Sequence, residues 1–351
     1  MYEQLTISEF IALKHYQYLL LDVRSPAEYT HAHIPSAHNL PLFTNNERAQ
    51  VGTAYKQVSR QAAIKIGLTY FGPKLNPIII QVETLLSKYK KPEKVTIVVH
   101  CWRGGMRSAA VAWLLNLYGF KVAIITGGYK QYRNWALAQF ELPYKFIVLG
   151  GYTGSGKTEI LEALEKMGQP VINFEKLAKH KGSAYGNLDL LPQPSQEMFE
   201  NQLAMQLYHN KNNTTWIEDE SQRIGTVQLP NHIFALKQEA QHYFIIIPFE
   251  ARLQFIVTQY GKYTQEKLIN ATIRIKKRLG GLETKNVINH LIENDLTNAF
   301  GILLTYYDKE YTKGMQRKEG VMQNGIQVTS LQVHDSANAQ LILLTLNKDN
   351  V

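Results

Sequence analysis

The chain has 351 residues, of which 45% are hydrophobic and 11% aromatic, a composition that excludes a disordered chain and favours two globular domains. One cysteine excludes an internal disulfide. The acidic, mixed start does not fit a signal peptide, and no apolar run approaches the ~18 residues of a membrane span. We therefore expect a cytoplasmic protein. The net charge of +9 comes wholly from residues 1–140, with 16 Lys and Arg against 7 Asp and Glu, which fits either a nucleic-acid partner or a solvated basic surface.

The first part of the chain predicts alternating strands and helices. Residues 7–13 have a helical pattern, and residues 18–24 form an apolar run that ends in an acid–base pair. Ser25 is placed to cap a following helix that begins at Pro26. Further helices are expected between residues 42 and 94, a polar segment with helical patterns.

Three histidines lie in the loop after that helix, His31, His33 and His38. Their spacing without a nearby carboxylate cluster favours hydrogen bonding within the loop over a metal site. We therefore assign no metal ligand with certainty.

The single cysteine follows an apolar run at residues 95–99 and precedes a helical pattern at residues 108–117. It therefore lies in a Gly-rich turn where backbone N–H groups and a helix N-terminus favour a thiolate over a thiol. We predict that Cys101 is a nucleophile rather than an inert buried thiol. The loop that would hold its oxyanion or donor comprises Trp102, Arg103, Gly104, Gly105, Met106, Arg107 and Ser108.

This part of the chain resembles a rhodanese domain. The resemblance rests on Asp22-Val23-Arg24, on Glu28-Tyr29, on residues 33–41 and on Cys101 in its Gly- and Arg-rich loop. It implies a doubly wound parallel α/β fold over residues 1–140, with an active-site cysteine that carries a persulfide.

The loop arginine departs from the common rhodanese spacing. Rhodaneses usually place it five residues after the cysteine, whereas Arg107 is six residues after Cys101. The spacing therefore also matches the Cys-x5-Arg signature of cysteine-dependent phosphatases, for which Glu47 and Asp22 are the candidate acids. A wider cradle fits a tetrahedral oxyanion, which suits a phosphate ester or a phosphate-activated chalcogen donor. The loop leaves both open.

Residues 121–125 predict the last strand of this domain, and a helix follows that mixes basic and aromatic side chains. Lys130 and Arg133 on that helix are candidates for nucleic-acid contact, with packing at the domain boundary as the alternative. A boundary at residues 142–144 separates this rhodanese-like domain from a second domain, residues 141–351.

The second domain begins with a predicted strand at residues 145–149, a G-x-x-x-x-G-K-T loop and a helix at residues 159–167. In this context the motif indicates binding of a polyphosphate or diphosphate, not necessarily nucleotide hydrolysis. Lys157 would neutralise the terminal phosphates, and Thr158 would be able to ligate Mg²⁺. The phosphate-binding residues of this loop, residues 151–158, are Gly151, Gly154, Ser155, Gly156, Lys157 and Thr158.

Acidic side chains follow a second predicted strand, residues 214–217. They are Glu218, Asp219 and Glu220. Carboxylates at a strand end near a phosphate loop hold Mg²⁺ through water or act as a base, unless they form a solvated turn. Arg223 and Arg252 are candidate phosphate clamps, with a surface position as the alternative for Arg223. A third strand is expected at residues 243–248, in a kinase-like P-loop α/β domain.

The remaining segments predict helices at residues 267–279 and 286–307, an edge strand at 328–333 and a polar tail. The first of these helices carries four cations before a glycine pair, Arg274, Lys276, Lys277 and Arg278. They would contact the phosphate backbone of a nucleic acid or satisfy the helix dipole, and the sequence leaves both open.

A rhodanese-like domain followed by a P-loop domain resembles the bacterial tRNA 2-selenouridine synthase family over nearly the whole chain. The stretches that carry the likeness are residues 47–56, 101–108, 127–133, 216–221 and 278–282. The resemblance implies a tRNA with a wobble 5-substituted 2-thiouridine, geranyl diphosphate and selenophosphate as co-substrates, and no tightly bound cofactor, with Mg²⁺ allowed. An enzyme that supplies selenophosphate is an expected partner.

The resemblance also implies two chemical steps. The thiouridine sulfur is first geranylated. Selenium then replaces the S-geranyl group by way of Cys101, which is expected to attack selenophosphate, release phosphate and carry the selenium as a selenenylated thiol. The alternatives are a sulfurtransferase with an NTPase domain, a Cys-x5-Arg phosphatase and a nucleotide-dependent binding module.

Overall fold

The computed structural model describes residues 2–181, 185, 192–317 and 325–349. The chain divides into two compact units, each built on a parallel five-stranded sheet. One unit comprises Met1–Gln139 with Glu200–Met205, and the other comprises Phe140–Phe199 with Gln206–Val351. Within the described part of the chain, no helix is both long and apolar enough to cross a membrane.

The strands and helices of Met1–Gln139 are, in chain order, β1 (Glu3–Leu5), α1 (Ile7–Ala12), β2 (Tyr18–Asp22), α2 (Pro26–His31), β3 (His38–Asn39), α3 (Asn45–Gln57), α4 (Arg60–Phe71), α5 (Leu75–Leu86), β4 (Thr96–His100), α6 (Met106–Tyr118), β5 (Val122–Ile125) and α7 (Gly128–Gln139). Short 3₁₀ turns lie at His15–Gln17, Gly72–Lys74 and Pro92–Lys94.

The sheet of this unit has the strand order β1-β5-β4-β2-β3, so β4 lies at its centre. Consecutive residues of β2, β4 and β5 are buried, which means that both faces of the sheet are covered, since side chains alternate between the faces of a strand. The predicted doubly wound α/β fold is confirmed. The edge strand β1 was not predicted, because three partly polar residues carry no clear strand pattern.

The predicted start of α2 is also confirmed. Ser25 occupies the N-cap and Pro26 the first helical position, and the Glu28 carboxylate accepts the Ser25 backbone N–H at 3.0 Å. This capping box orients α2 immediately after the strand that carries Asp22.

The second part of the chain contains β6 (Lys145–Gly151), α8 (Lys157–Lys166), β7 (Val171–Ile172), α9 (Phe174–Ala178), α10 (Gln196–Asn210), β8 (Thr214–Glu218), β9 (Arg223–Ile224), β10 (Val227–Gln228), α11 (Asn231–Glu239), β11 (Gln241–Ile246), α12 (Phe249–Tyr260), α13 (Gln265–Arg274), α14 (Lys276–Leu279), α15 (Gly281–Ile292), α16 (Leu296–Arg317), β12 (Ile326–Thr329) and α17 (Asp335–Asp349).

The sheet of this unit has the order β12-β11-β6-β8-β7, with every neighbouring pair parallel. The strand β6 is central, so the loop that follows it opens at the carboxyl edge of the sheet, where α/β proteins bind ligands. The predicted edge strand is present as β12. The P-loop α/β fold expected from the sequence is confirmed.

Two helix predictions and the prediction of a polar tail are wrong in detail for this unit. The predicted helix 267–279 is interrupted at Ile275, between α13 and α14. The predicted helix 286–307 is interrupted between α15 and α16, where Asn294 adopts a left-handed φ of 61° that a continuous helix does not allow. The polar tail instead forms α17, whose Ala339 and Ile342 are fully buried in the core beside α8.

Candidate functional site

Cys101 lies directly after the central strand β4 of its sheet, and α6 begins five residues later. Its side chain is buried, with 4% of its surface exposed. The N-terminus of α7 fixes the loop, because the Tyr129 and Lys130 N–H groups donate to the carbonyl oxygens of Cys101 and Trp102, both at 2.9 Å. The thiol therefore has a defined position at the carboxyl edge of the sheet.

The Cys101 sulfur has two hydrogen-bond partners within its own loop. The Gly105 N–H donates to Sγ at 3.3 Å, and the Ser108 hydroxyl lies 3.3 Å from Sγ. Burial raises the pKa of the thiol, but hydrogen bonds from Ser108, the charge of Arg107 and the Arg103 backbone N–H outweigh burial and hold the Cys101 pKa below its usual value. The predicted thiolate cradle is therefore present in the structure.

Arg107 forms an ion pair with a carboxylate outside the Cys101 loop. Its guanidinium donates to the Glu28 carboxylate at 2.8 Å, and Arg48 from α3 approaches the same carboxylate at 3.8 Å. Burial raises the Glu28 pKa, but Arg107 and Ser25 outweigh it and lower that pKa below the usual value, so Glu28 is ionised near neutral pH. The geometry thus gives the loop one arginine whose position is set by a carboxylate on α2.

Both acids considered for a phosphatase are engaged in ion pairs. Asp22 is fully buried and pairs with Arg24 at 2.6 Å, and the Arg24 guanidinium also lies 3.9 Å from the centre of the Tyr129 ring. Glu47 pairs with Lys74 at 2.5 Å and caps α3. Burial raises the pKa of both carboxyl groups, but their partners outweigh burial and lower it below the usual value. Both groups are therefore ionised near neutral pH, which argues against either as the acid of a phosphatase.

In the other unit, the phosphate-binding loop runs from the end of β6 into α8, as predicted. Gly154 and Gly156 adopt left-handed φ angles of 80° and 72°, which allow the backbone to turn tightly into the helix. The Lys157 ammonium donates to the Gly151 carbonyl at 2.8 Å and so lies folded over the loop. This is the geometry of an anion-binding loop at a helix N-terminus.

Acidic side chains line the loop. The buried Glu218, at the end of β8, accepts the Phe174 and Glu175 N–H groups at 2.8 and 3.2 Å. Glu175 in turn accepts the Thr158 hydroxyl at 3.0 Å. Burial and the neighbouring Glu175 raise the pKa of Glu220 to about 8, and the same causes raise that of Glu218.

Asp219 has a different role from its neighbours. It pairs with the fully buried Lys237 at 2.7 Å and accepts the Tyr311 hydroxyl at 3.0 Å. Thr158 and Glu175 offer oxygen ligands of the kind Mg²⁺ prefers. Among the described residues, however, no group of three His, Cys, Asp or Glu side chains surrounds a common metal position.

The two predicted phosphate clamps, Arg252 and Arg223, both have protein partners in the structure. Arg252 is buried and pairs with Asp308 at 2.7 Å, while it donates to the Thr153 carbonyl at 3.0 Å. These contacts hold the Arg252 guanidinium against the backbone of the loop. Arg223 is exposed on the hairpin of β9 and β10 and donates to the Gly225 carbonyl at 3.0 Å.

The residues predicted to contact tRNA differ in exposure and in their protein partners. Lys130, Lys276 and Lys277 are exposed. Arg133 instead pairs with Glu200 and donates to the Asn201 amide oxygen at 3.1 Å, which argues against its predicted role. Arg274 is exposed at the end of α13. Arg278 lines a cavity beside the phosphate-binding loop and so is placed for an anion there.

This cavity has a volume of about 570 Å³. Its lining includes the cations Lys157, Lys181 and Arg278 together with acidic side chains. The lining is also rich in aromatic residues, which are Phe234, Phe255, Tyr260, Tyr263, Tyr306, Tyr307 and Tyr311. The cavity therefore combines cations for an anion with aromatic surface.

Several residues of this cavity were not predicted from the sequence. Glu175 and Lys181 follow the short strand β7, far along the chain from the glycine-rich motif. The cavity aromatics come mostly from α12 and α16, where aromatic residues at helical spacing resemble an ordinary core. The signal available in the sequence is the mixture of tyrosines with charged residues at positions 306–311 of α16.

Two family models match the chain: the tRNA 2-selenouridine synthase AAA domain over residues 144–340, and the Rhodanese-like domain over residues 7–134. A protein of Hydrogenovibrio crunogenus named tRNA 2-selenouridine synthase is 34% identical over 335 residues, which cover 86% of this chain and 90% of that protein. Its namesake in Psychromonas ingrahamii is 31% identical, covering 85% and 88%. Another, in Nitrosomonas europaea, is 36% identical, covering 69% and 63%.

Proposed function

This chain belongs to the tRNA 2-selenouridine synthase family, and we propose on that premise that it replaces the sulfur of a wobble 5-substituted 2-thiouridine in tRNA with selenium. The proposal has two chemical steps, one for each unit. Geranyl diphosphate serves the first step and selenophosphate the second.

The P-loop unit carries the first step. The thiouridine sulfur attacks the first carbon of the geranyl group, the carbon–oxygen bond breaks, and diphosphate leaves with the electron pair. Lys157 and the N–H groups of the loop stabilise the charge on that leaving group. The single observation that carries this assignment is the cavity, because cations suited to a diphosphate and aromatic side chains suited to an isoprenoid chain line it together.

The Cys101 loop carries the second step. The S-geranyl nucleoside, selenophosphate and water give 2-selenouridine, geranyl thiol and phosphate, with no net oxidation or reduction. The selenenylated thiol expected from the resemblance does not balance, because its direct formation from selenophosphate would leave phosphite rather than phosphate. In the proposed step the Cys101 thiolate attacks phosphorus instead. The phosphorus–selenium bond then breaks, selenide displaces the geranyl thiol at the base, and water takes the phosphoryl group from sulfur.

The chain's own residues fit that step. The N–H groups and the Ser108 hydroxyl that face the Cys101 sulfur favour the thiolate form, and Arg107 adds a positive charge beside it. A cradle with one more residue than the common rhodanese loop suits a tetrahedral phosphate derivative. No second cysteine in the sequence competes to resolve an adduct on Cys101 as a disulfide.

Nucleoside mass spectrometry tests the proposal. A tRNA that contains 2-thiouridine is incubated with protein, geranyl diphosphate and selenophosphate. Wild type is expected to give 2-selenouridine, Cys101→Ala to stop at the geranylated nucleoside, and Lys157→Ala to leave the thiouridine unchanged. Lys166→Ala, at the exposed far end of the same helix, is the matched control and should behave as wild type.

An unchanged tRNA with well-folded wild-type protein would contradict the proposal. Assays with thiosulfate and ATP would then test a sulfurtransferase with an NTPase domain, and an aryl phosphate would test the phosphatase. A binding module would lose nothing when Cys101 is replaced.

A further inference from the structure

Trp102, the residue after the nucleophile, has an unusual environment. Its side chain is 40% exposed, although tryptophan is highly buried on average. Cys101 itself is only 4% exposed, so any base that reacts there must be presented at the mouth of the loop. Trp102 therefore offers an exposed planar ring directly beside Cys101 in the sequence.

The Trp102 ring is held in place on one side. It packs against Tyr129 with ring centres 5.6 Å apart and planes tilted by 40°. Tyr129 is fully buried, and the Arg24 guanidinium lies 3.9 Å from its ring centre. The Trp102 carbonyl accepts the Lys130 N–H at 2.9 Å. The ring is thus supported by buried groups while much of its surface meets solvent.

Exposed cations adjoin this ring along the backbone. Arg103 follows Trp102 in the loop, and Lys130 is hydrogen-bonded to it through the main chain. A nucleotide in a single-stranded loop presents one planar base and a phosphate on each side. Aromatic stacking with neighbouring cations is the usual way proteins hold such nucleotides.

We propose that Trp102 stacks on the wobble base of the tRNA and holds it at the mouth of the Cys101 loop, with Arg103 and Lys130 neutralising the adjacent phosphates. This inference rests on the proposed function, because that function requires the base to reach Cys101. Trp102 is a binding residue here and takes no part in bond making.

An anticodon stem-loop with 2-thiouridine at the wobble position is the probe, and its affinity for the full chain is measured by fluorescence anisotropy. Trp102→Ala is expected to weaken binding about tenfold, within the range for loss of one stacked base. Trp102→Phe keeps a ring and should retain most of the affinity. Trp113→Ala removes another exposed tryptophan, on α6, and should leave the affinity unchanged.

A second stem-loop, abasic at the wobble position, separates stacking from a purely structural effect. If Trp102 stacks on that base, removal of the base weakens wild type but costs the Trp102→Ala protein little more, because the two losses are not additive. Additive losses, or equal affinity of wild type and Trp102→Ala, would overturn the inference. The rate at which iodoacetamide labels Cys101, the single cysteine, shows whether the loop is intact.

The two proposals fail separately. Wild-type protein that makes 2-selenouridine but shows no coupling between Trp102 and the base contradicts only this inference. Protein that shows the coupling but makes no 2-selenouridine contradicts the proposed function and still supports the stacking site.

Discussion

At the scale of single residues, the reactivity of Cys101 depends on one hydroxyl. The Ser108 side chain is the largest of the interactions that lower the Cys101 pKa against burial. Ser108→Ala removes a hydrogen bond to the thiolate, so the Cys101 pKa should rise and the thiolate fraction near neutral pH should fall. The rate of alkylation by iodoacetamide rises with pH through this pKa, so its midpoint should move to higher pH in the variant.

The single cysteine makes that measurement unambiguous, because every labelled thiol is Cys101. Ser87→Ala is the control, since the Ser87 hydroxyl donates to the Thr84 carbonyl at the end of α5. Its alkylation profile should match that of wild type. A Ser108→Ala midpoint equal to that of wild type would show that the loop N–H groups alone hold the thiolate.

At the scale of elements, the N-terminus of α7 is the support of the Cys101 loop. Gly128 adopts a φ of 58°, and a Cβ there would overlap the Cys101 carbonyl oxygen and lie 2.5 Å from the Gly104 nitrogen. Gly128→Ala should therefore push the Cys101 loop away from α7 and lower the free energy of unfolding by about 2–4 kcal/mol. Urea denaturation followed by tryptophan fluorescence suits this test, because Trp102, Trp113 and Trp135 belong to this unit.

Gly119→Ala separates backbone strain from the clash. Gly119 also has a positive φ, 108°, but a Cβ there meets no atom within 4 Å. This control should cost only about 1 kcal/mol. Equal losses for the two variants would mean that the close contact of α7 with the loop does not contribute to stability.

The elements also show what the sequence can predict. Strands such as β4 and β6 follow from apolar runs, and the motifs at their ends follow from residue type and spacing. The Glu175 contact with Thr158 joins residues 17 positions apart, and that of Arg252 with Asp308 joins residues 56 apart. No local pattern encodes such pairs, so the sequence predicts the loop that carries Lys157 but not the carboxylate with which Arg252 pairs.

At the scale of the whole molecule, both candidate sites follow the same rule. Cys101 and the phosphate-binding loop each follow the central strand of a five-stranded parallel sheet, at its carboxyl edge. The basic surplus, however, belongs to only one part of the chain, since residues 141–351 hold 22 Lys and Arg against 22 Asp and Glu. Charge therefore points to residues 1–140 for contacts with the tRNA backbone.

That asymmetry predicts how salt weakens tRNA binding. Each phosphate contact releases counterions, so the logarithm of the affinity should fall linearly with that of the salt concentration. Lys130→Ala, in the basic unit, should reduce the steepness of this slope by about one, whereas Lys166→Ala, in the balanced unit, should not change it. Affinities measured between about 50 and 200 mM KCl give both slopes. Equal slopes for wild type and Lys130→Ala would remove Lys130 from the tRNA interface, and a shallow wild-type slope would mean that the basic surplus is a solvated surface.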